Sequence, residues 1–323
     1  MKFPELFASF LPTLARPLGG IVMWFRNART YKLPDRLGID ALELSQRLSR
    51  RPFVPCRPSQ MTSNGWVPAL SDDTTELVHA AGDFWLIRLR REKRLLPASV
   101  VRSETNERIA EIQNGQGRRV NRKERLDIMD EVTQDLLPRA FTKSQYLDAL
   151  INEREGWVWI NTASAARVED FLSLLREGLG NLQVTIPDTQ KSPVVAMSQW
   201  VLNGGLPEGL SLGGDADLED PHEEGGFVRT RGVYLESDEI LSLIESGKQV
   251  VRLALSWQDK VDFVLDKDLS IRRIRFSDEL KKLNDELHED KLAQRDADCL
   301  LMGETLGCLQ QVIGEEFGGF SND

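Results

Sequence analysis

The sequence predicts an α+β fold, and three features point to it. Runs rich in β-branched and aromatic residues stand at Gly156–Thr162 (GWVWINT) and within Lys248–Asp266 (VVRLALSW and KVDFVL). Helical periodicity dominates Ala163–Leu179 and the stretch from Ser277 to about Phe317. Between them, residues 97–143 read as two helices joined by a short turn, with dense positive charge at the turn. A chain of 323 residues, 41% hydrophobic, can bury an ample core, and its length suggests two or three domains.

Taken in order, Met1–Val22 reads as a disordered N-terminal extension upstream of Met23. Its apolar run Leu6–Ala15 is broken by Pro12, lacks a small-x-small cleavage pattern and is too short to span a membrane. Met23–Leu33 (MWFRNARTYKL) reads as a strand and Ile39–Leu48 as a helix. Phe53–Cys56, Gly65–Pro68 and Phe84–Leu89 are short strand candidates.

Pro97–Asn114 forms the first arm helix, and Asn114–Gly117 the turn. The second starts at Asn121, whose pairing with Glu124 three residues on has the form of a capping box, and Pro138 stops it. On a helical wheel, Arg118, Arg122 and Arg125 share a stripe with Met129, Val132 and Leu136.

After GWVWINT come the helix Ala163–Leu179, closed by Gly180, and a strand at Gln183–Ile186. Val194–Leu202 reads as a helix, Asn203–Gly214 as a glycine-rich connection, Asp215–Glu224 as an acidic loop and Gly225–Tyr234 as a strand entry. Ser237–Glu245 is a capped helix. The β-rich hairpin turns at Gln258-Asp259, and Ser270–Phe276 adds a third strand. The resulting division is the extension 1–22, a central α+β region 23–96 with 144–190, the basic arm 97–143, a second β-rich region 191–276 carrying the acidic loop, and a helical end 277–323.

The net charge of −10 argues against a protein that grips nucleic acid by overall positive charge, but the charge is segregated. Leu86–Arg125 carries twelve Lys/Arg against five acids, whereas Glu208–Glu245 carries eleven acids against two arginines. Cys56, Cys299 and Cys308 make no CxxC pair and no disulfide framework, which fits a reducing cytoplasm. The three histidines show no zinc-binding spacing, and Asp215–His222 lacks the glycine and glutamate of a calcium loop. No cofactor or metal is expected.

Arg118, Arg119, Arg122, Lys123 and Arg125 are the leading phosphate contacts, followed by Arg139 and Lys143 beyond Pro138. The run Arg88–Arg94 reads as a solvated face. Phe141 reads as a core residue or, if exposed, as a dimer contact. Trp200 and Trp257 read as core.

A resemblance lies in the order of several stretches: MWFRNARTYKL, GWVP at Gly65–Pro68, LLPRAF at Leu136–Phe141, ASAARVEDFLSLLREGLG at Ala163–Gly180, EEGGFVRTR at Glu223–Arg231, LALSWQDKVDFVL at Leu253–Leu265, RFSDEL at Arg275–Leu280 and AQRDAD at Ala293–Asp298. From Met23 to about Gly319 the chain resembles the bacterial recombination-associated RdgC family. The resemblance implies curved antiparallel or mixed sheets with helical arms, and a homodimer closed as a ring around double-stranded DNA without sequence preference. It further implies modulation of the recombinase RecA, no catalytic activity, and a place on the cytoplasmic nucleoid without membrane attachment. Arg229 and Arg231 join the DNA-binding candidates. Beyond them, where the family tends to basic and amide residues, stand Gly232, Val233 and Tyr234. Two other readings are a regulator that acts directly on a recombinase with DNA binding incidental, and a metal-dependent nuclease, which no motif supports.

Overall fold

The computed structural model describes residues 24–34, 36–70, 75–222, 225–285 and 291–320. The expected N-terminal extension lies outside them. Among the described residues are eleven strands: β1 Asn27–Lys32, β2 Thr62–Val67, β3 Val78–Ala81, β4 Phe84–Arg94, β5 Thr142–Asn152, β6 Trp157–Ile160, β7 Leu210–Glu219, β8 Phe227–Thr230, β9 Gln249–Trp257, β10 Val261–Asp266 and β11 Ile271–Phe276. The helices are α1 Ala41–Leu48, α2 Ala98–Gln116, α3 Arg122–Leu136, α4 Ala165–Leu179, α5 Pro193–Asn203, α6 Asp238–Glu245, α7 Asp278–Asp285 and α8 Lys291–Glu316.

The strands form one sheet in the order β2-β4-β5-β6-β1-β11-β10-β9-β7-β8, and every pairing between named strands is antiparallel. Strand β4 is long enough for β2 and β3 to pair end to end along its outer edge. The halves of the sheet join at β1. There Arg29–Lys32 pair with β6, while Asn27 and Ala28 pair with Arg272 and Ile271 of β11.

Period-2 alternation sends the two faces of the sheet into different cores. Trp85, Ile87 and Leu89 of β4 pack with α1 and α4, where Leu44, Leu48, Val168, Phe171 and Leu175 are buried. Phe84 and Leu86 point the other way, into a core shared by α5, α6 and α8. Helix α8 presents Cys299, Met302, Leu306, Leu309 and Ile313 at helical spacing. Gly303 lets it sit against β4, since a Cβ there would stand 2.5 Å from the Phe84 ring.

Several expectations need correction. Phe53–Cys56 is not a strand and contributes only the neighbouring Pro52–Trp66 bridge; Gln183–Ile186 is reduced to a bridge between Thr185 and Lys32. The acidic loop does not hold its assigned bounds. Asp215–Glu219 belong to β7, while residues 223–224 lie outside the described set. Strand β5 was not anticipated, because TKSQYLDALIN carries little β-branched character and is held by pairing on both edges.

Candidate nucleic-acid interface

Helices α2 and α3 form a hairpin with a small core of its own. Val101 and Ile109 meet Ile128 and Val132, flanked by Leu96, Ile112, Val120 and Leu136, and this cluster is separate from both sheet cores. The turn works because Gly117 takes φ +63° and its N–H donates to the Gln113 carbonyl. Across the turn the Asn121 side chain accepts from the Glu124 N–H at 2.9 Å, as the sequence anticipates. The arm helix α2 runs two residues past its expected end at Asn114, to Gln116.

The wheel stripe resolves differently from expectation. Val132 is buried with Ile128, whereas Met129 is exposed, because the contact with α2 runs along the Ile128–Val132 line.

At the tip, Arg118 is committed within the chain. Its guanidinium binds the Glu124 carboxylate through both terminal nitrogens, one at 2.8 Å, and reaches Gln116 at 2.7 Å. The hydrogen bond from Arg118 holds the Glu124 carboxyl below the usual range. Arg125 donates to the side-chain amide oxygen of Asn106 at 2.8 Å. Arg119, Arg122 and Lys123 are exposed and have no ion pair among the described residues.

A second basic group stands at the arm's base. Arg139 and Lys143 are exposed without a carboxylate partner among the described residues, and Lys143 pairs across the strands with exposed Lys93. Like charges directly opposite one another are destabilising, and an anion would relieve them. Strand alternation could have singled out Lys93, since it points away from Arg94.

Elsewhere in the Arg88–Arg94 run, Arg91 is exposed as expected and pairs with exposed Asp170 at 2.8 Å, whereas Arg88, Arg90 and Arg94 depart from the solvated reading. Arg88 is only 7% exposed and Arg94 8%. Arg88 pairs with buried Asp148. Arg94 donates to the carbonyls of Ala140 at 3.0 Å and of Pro138, Cys56 and Arg57, which ties the base of the arm to the body. Arg90 lies over the Phe53 ring at 4.2 Å. These are cations used in folding. Phe141 is not a core residue: it is 84% exposed, one step past the Pro138 turn.

Arg229 and Arg231 lie far along the sheet, in a cleft of about 230 Å³ that spans β7 to β11. Here arginine and aspartate alternate from strand to strand. Arg229, Arg231 and Arg252 all bind Asp217, at 3.3, 2.9 and 3.1 Å, and Arg252 and Arg272 bind Asp266 at 2.8 and 2.7 Å. Asp215 takes Arg273 at 2.9 Å. Burial works to raise the Asp217 carboxyl, but hydrogen bonds from Arg231 and Arg252 and the charges of Arg231 and Arg229 outweigh it and hold it low. Five arginines against three aspartates leave the cleft positive. The sequence reading missed Arg252 and Arg272, though a lone arginine inside VVRLALSW signals a partner across the sheet.

Trp200 is buried against Phe317, as anticipated, while Trp257 is only partly buried. No described helix is long and apolar enough to cross a membrane.

These features define an α+β protein built on a long antiparallel sheet, with a basic-tipped helical arm set off from it by an independent core. Comparison with known proteins gives the particular family. Residues 23–320 match the family model described as "Putative exonuclease, RdgC", and the chain belongs to the RdgC family. It is 38% identical over 299 residues to the recombination-associated protein RdgC of Proteus mirabilis, covering 92% of this chain and 99% of that protein. It is 36% identical over 300 residues to those of Serratia proteamaculans and Salmonella paratyphi B, with the same coverage.

Proposed function

We propose that this chain is a non-enzymatic, sequence-independent binder of double-stranded DNA, acting as a ring-shaped homodimer with curved sheets around the duplex. In this reading it is nucleoid-associated in the cytoplasm and modulates RecA-dependent recombination and replication-fork repair. The observation that carries the reading is the set of exposed cations at the tip and base of the arm that have no ion pair among the described residues, in a chain of net charge −10. Free Lys and Arg bind phosphate by releasing counterions and read no base identity. The names of the curated relatives support a role in recombination.

The family description raises nuclease chemistry. The carboxylates of β7 best placed to work together, Asp215 and Asp217, are instead engaged by arginines, which favours the non-catalytic reading. Incubation of supercoiled plasmid with the protein and Mg²⁺ or Mn²⁺ should leave it intact; nicking lost on D215N or D217N would reverse this conclusion.

A second reading has the protein act directly on a recombinase, and the exposed Phe141, Phe227 and Tyr234 favour it as anchors for a protein partner. The triple variant R119E/R122E/K123E separates the two. The DNA reading expects loss of duplex binding and of recombinase inhibition together, whereas inhibition that survives without DNA binding would establish direct action.

A further inference from the structure

The two sides of the arm differ in charge, and two contacts between the helices identify them. On one side Arg108 of α2 reaches Asp135 of α3 at 3.0 Å. On the other, Arg125 of α3 reaches Asn106 of α2 at 2.8 Å. At 100° per residue, Glu104 and Glu111 fall on the Arg108 side of α2, and Glu124, Asp127 and Glu131 fall on the Asp135 side of α3. That flank is crowded with carboxylates. The opposite flank carries Arg102, Asn106 and Gln113 from α2 and Arg122, Arg125 and Leu126 from α3, and its nearest carboxylate is Asp130, one turn beyond Leu126 on the side of α3 away from α2. Arg102 is exposed and has no partner among the described residues.

We propose that the duplex lies along the flank of the arm that carries Arg102, Arg122 and Arg125 rather than against its tip alone, and that Arg102 is a phosphate contact near the arm's base. This rests on the DNA-binding reading above. Counted along α2, Arg102 stands about 20 Å from the tip, roughly six base-pair steps of duplex. The acidic flank, if turned to the DNA, would set a row of carboxylates against phosphates within the screening distance of about 8 Å at physiological salt. Leu126, 51% exposed, lies between the tip arginines and the shaft on the DNA side and offers an apolar contact to the sugars.

The test uses the full chain and a mixed-sequence duplex. R102Q should weaken binding and reduce the log–log salt slope by about 0.9, the contribution of one phosphate contact. In parallel, a photoactivatable aryl azide is placed on L126C or on E131C, with the unsubstituted protein giving the background of its native cysteines. Cross-linking to DNA from L126C well above that from E131C is the expected result. An unchanged R102Q slope, or equal or reversed cross-linking, while R119E/R122E/K123E still abolishes binding, would overturn the flank assignment and leave the DNA-binding reading standing. Unchanged binding by the triple variant would remove both.

Discussion

Asp217 shows how a single carboxylate organises one half of the sheet, because three arginines from β8, the turn after it and β9 converge on it. Its folded carboxyl titrates below the unfolded value of about 3.9. The stabilisation it gives is therefore complete above about pH 4 and lost as pH falls through the depressed folded value. Asp217→Asn should flatten the fall in stability on acidification, read as urea midpoints across the acid range; an unaltered pH dependence would show that other groups carry it. Asp148→Asn tests a different consequence of burial. It leaves the Arg88 guanidinium, only 7% exposed, without its counter-charge, and should cost about 3–5 kcal/mol by denaturant unfolding.

At the scale of elements, the arm is the part that can open alone, since its core shares no residue with the two sheet clusters. Ile128→Ala should destabilise it by about 2–5 kcal/mol, and hydrogen exchange should show lost protection confined to α2 and α3. Lost protection in the sheet as well would mean the arm and body unfold as one. Much of this element was legible in the sequence: Asn121 with Glu124 marks its second start and Pro138 its stop. Strand β5 was not, because Gln145, Asp148 and Ala149 have no strand preference and only the ladders with β4 and β6 fix them. The acidic run failed for a related reason. Asp215 and Asp217 look like loop residues until the facing arginines are known. Nor could sequence spacing separate Arg119 and Lys123, exposed and without an ion pair among the described residues, from Arg118, which Glu124 occupies, or from Arg94, which is folded against backbone carbonyls.

For the whole molecule, the segregated charge gives an acidic protein a basic arm, whose tip and base carry exposed cations with no ion pair among the described residues. Phe141, 84% exposed at the base of the arm, fits a contact between two copies of the chain. If the chain forms the proposed homodimer, Phe141→Asp should lower the mass seen by light scattering toward that of a monomer, while an unchanged dimer would take Phe141 out of the interface. The most direct measurement is binding across a salt series to closed circular and linear duplexes of the same sequence, comparing the natural chain with R119E/R122E/K123E. The account predicts a steep salt dependence for the natural chain, collapse in the variant, and retention at high salt on circles but not on linear molecules with free ends. Weak binding that is the same for both proteins and both DNA forms would contradict it, making the basic tip an ordinary solvated surface.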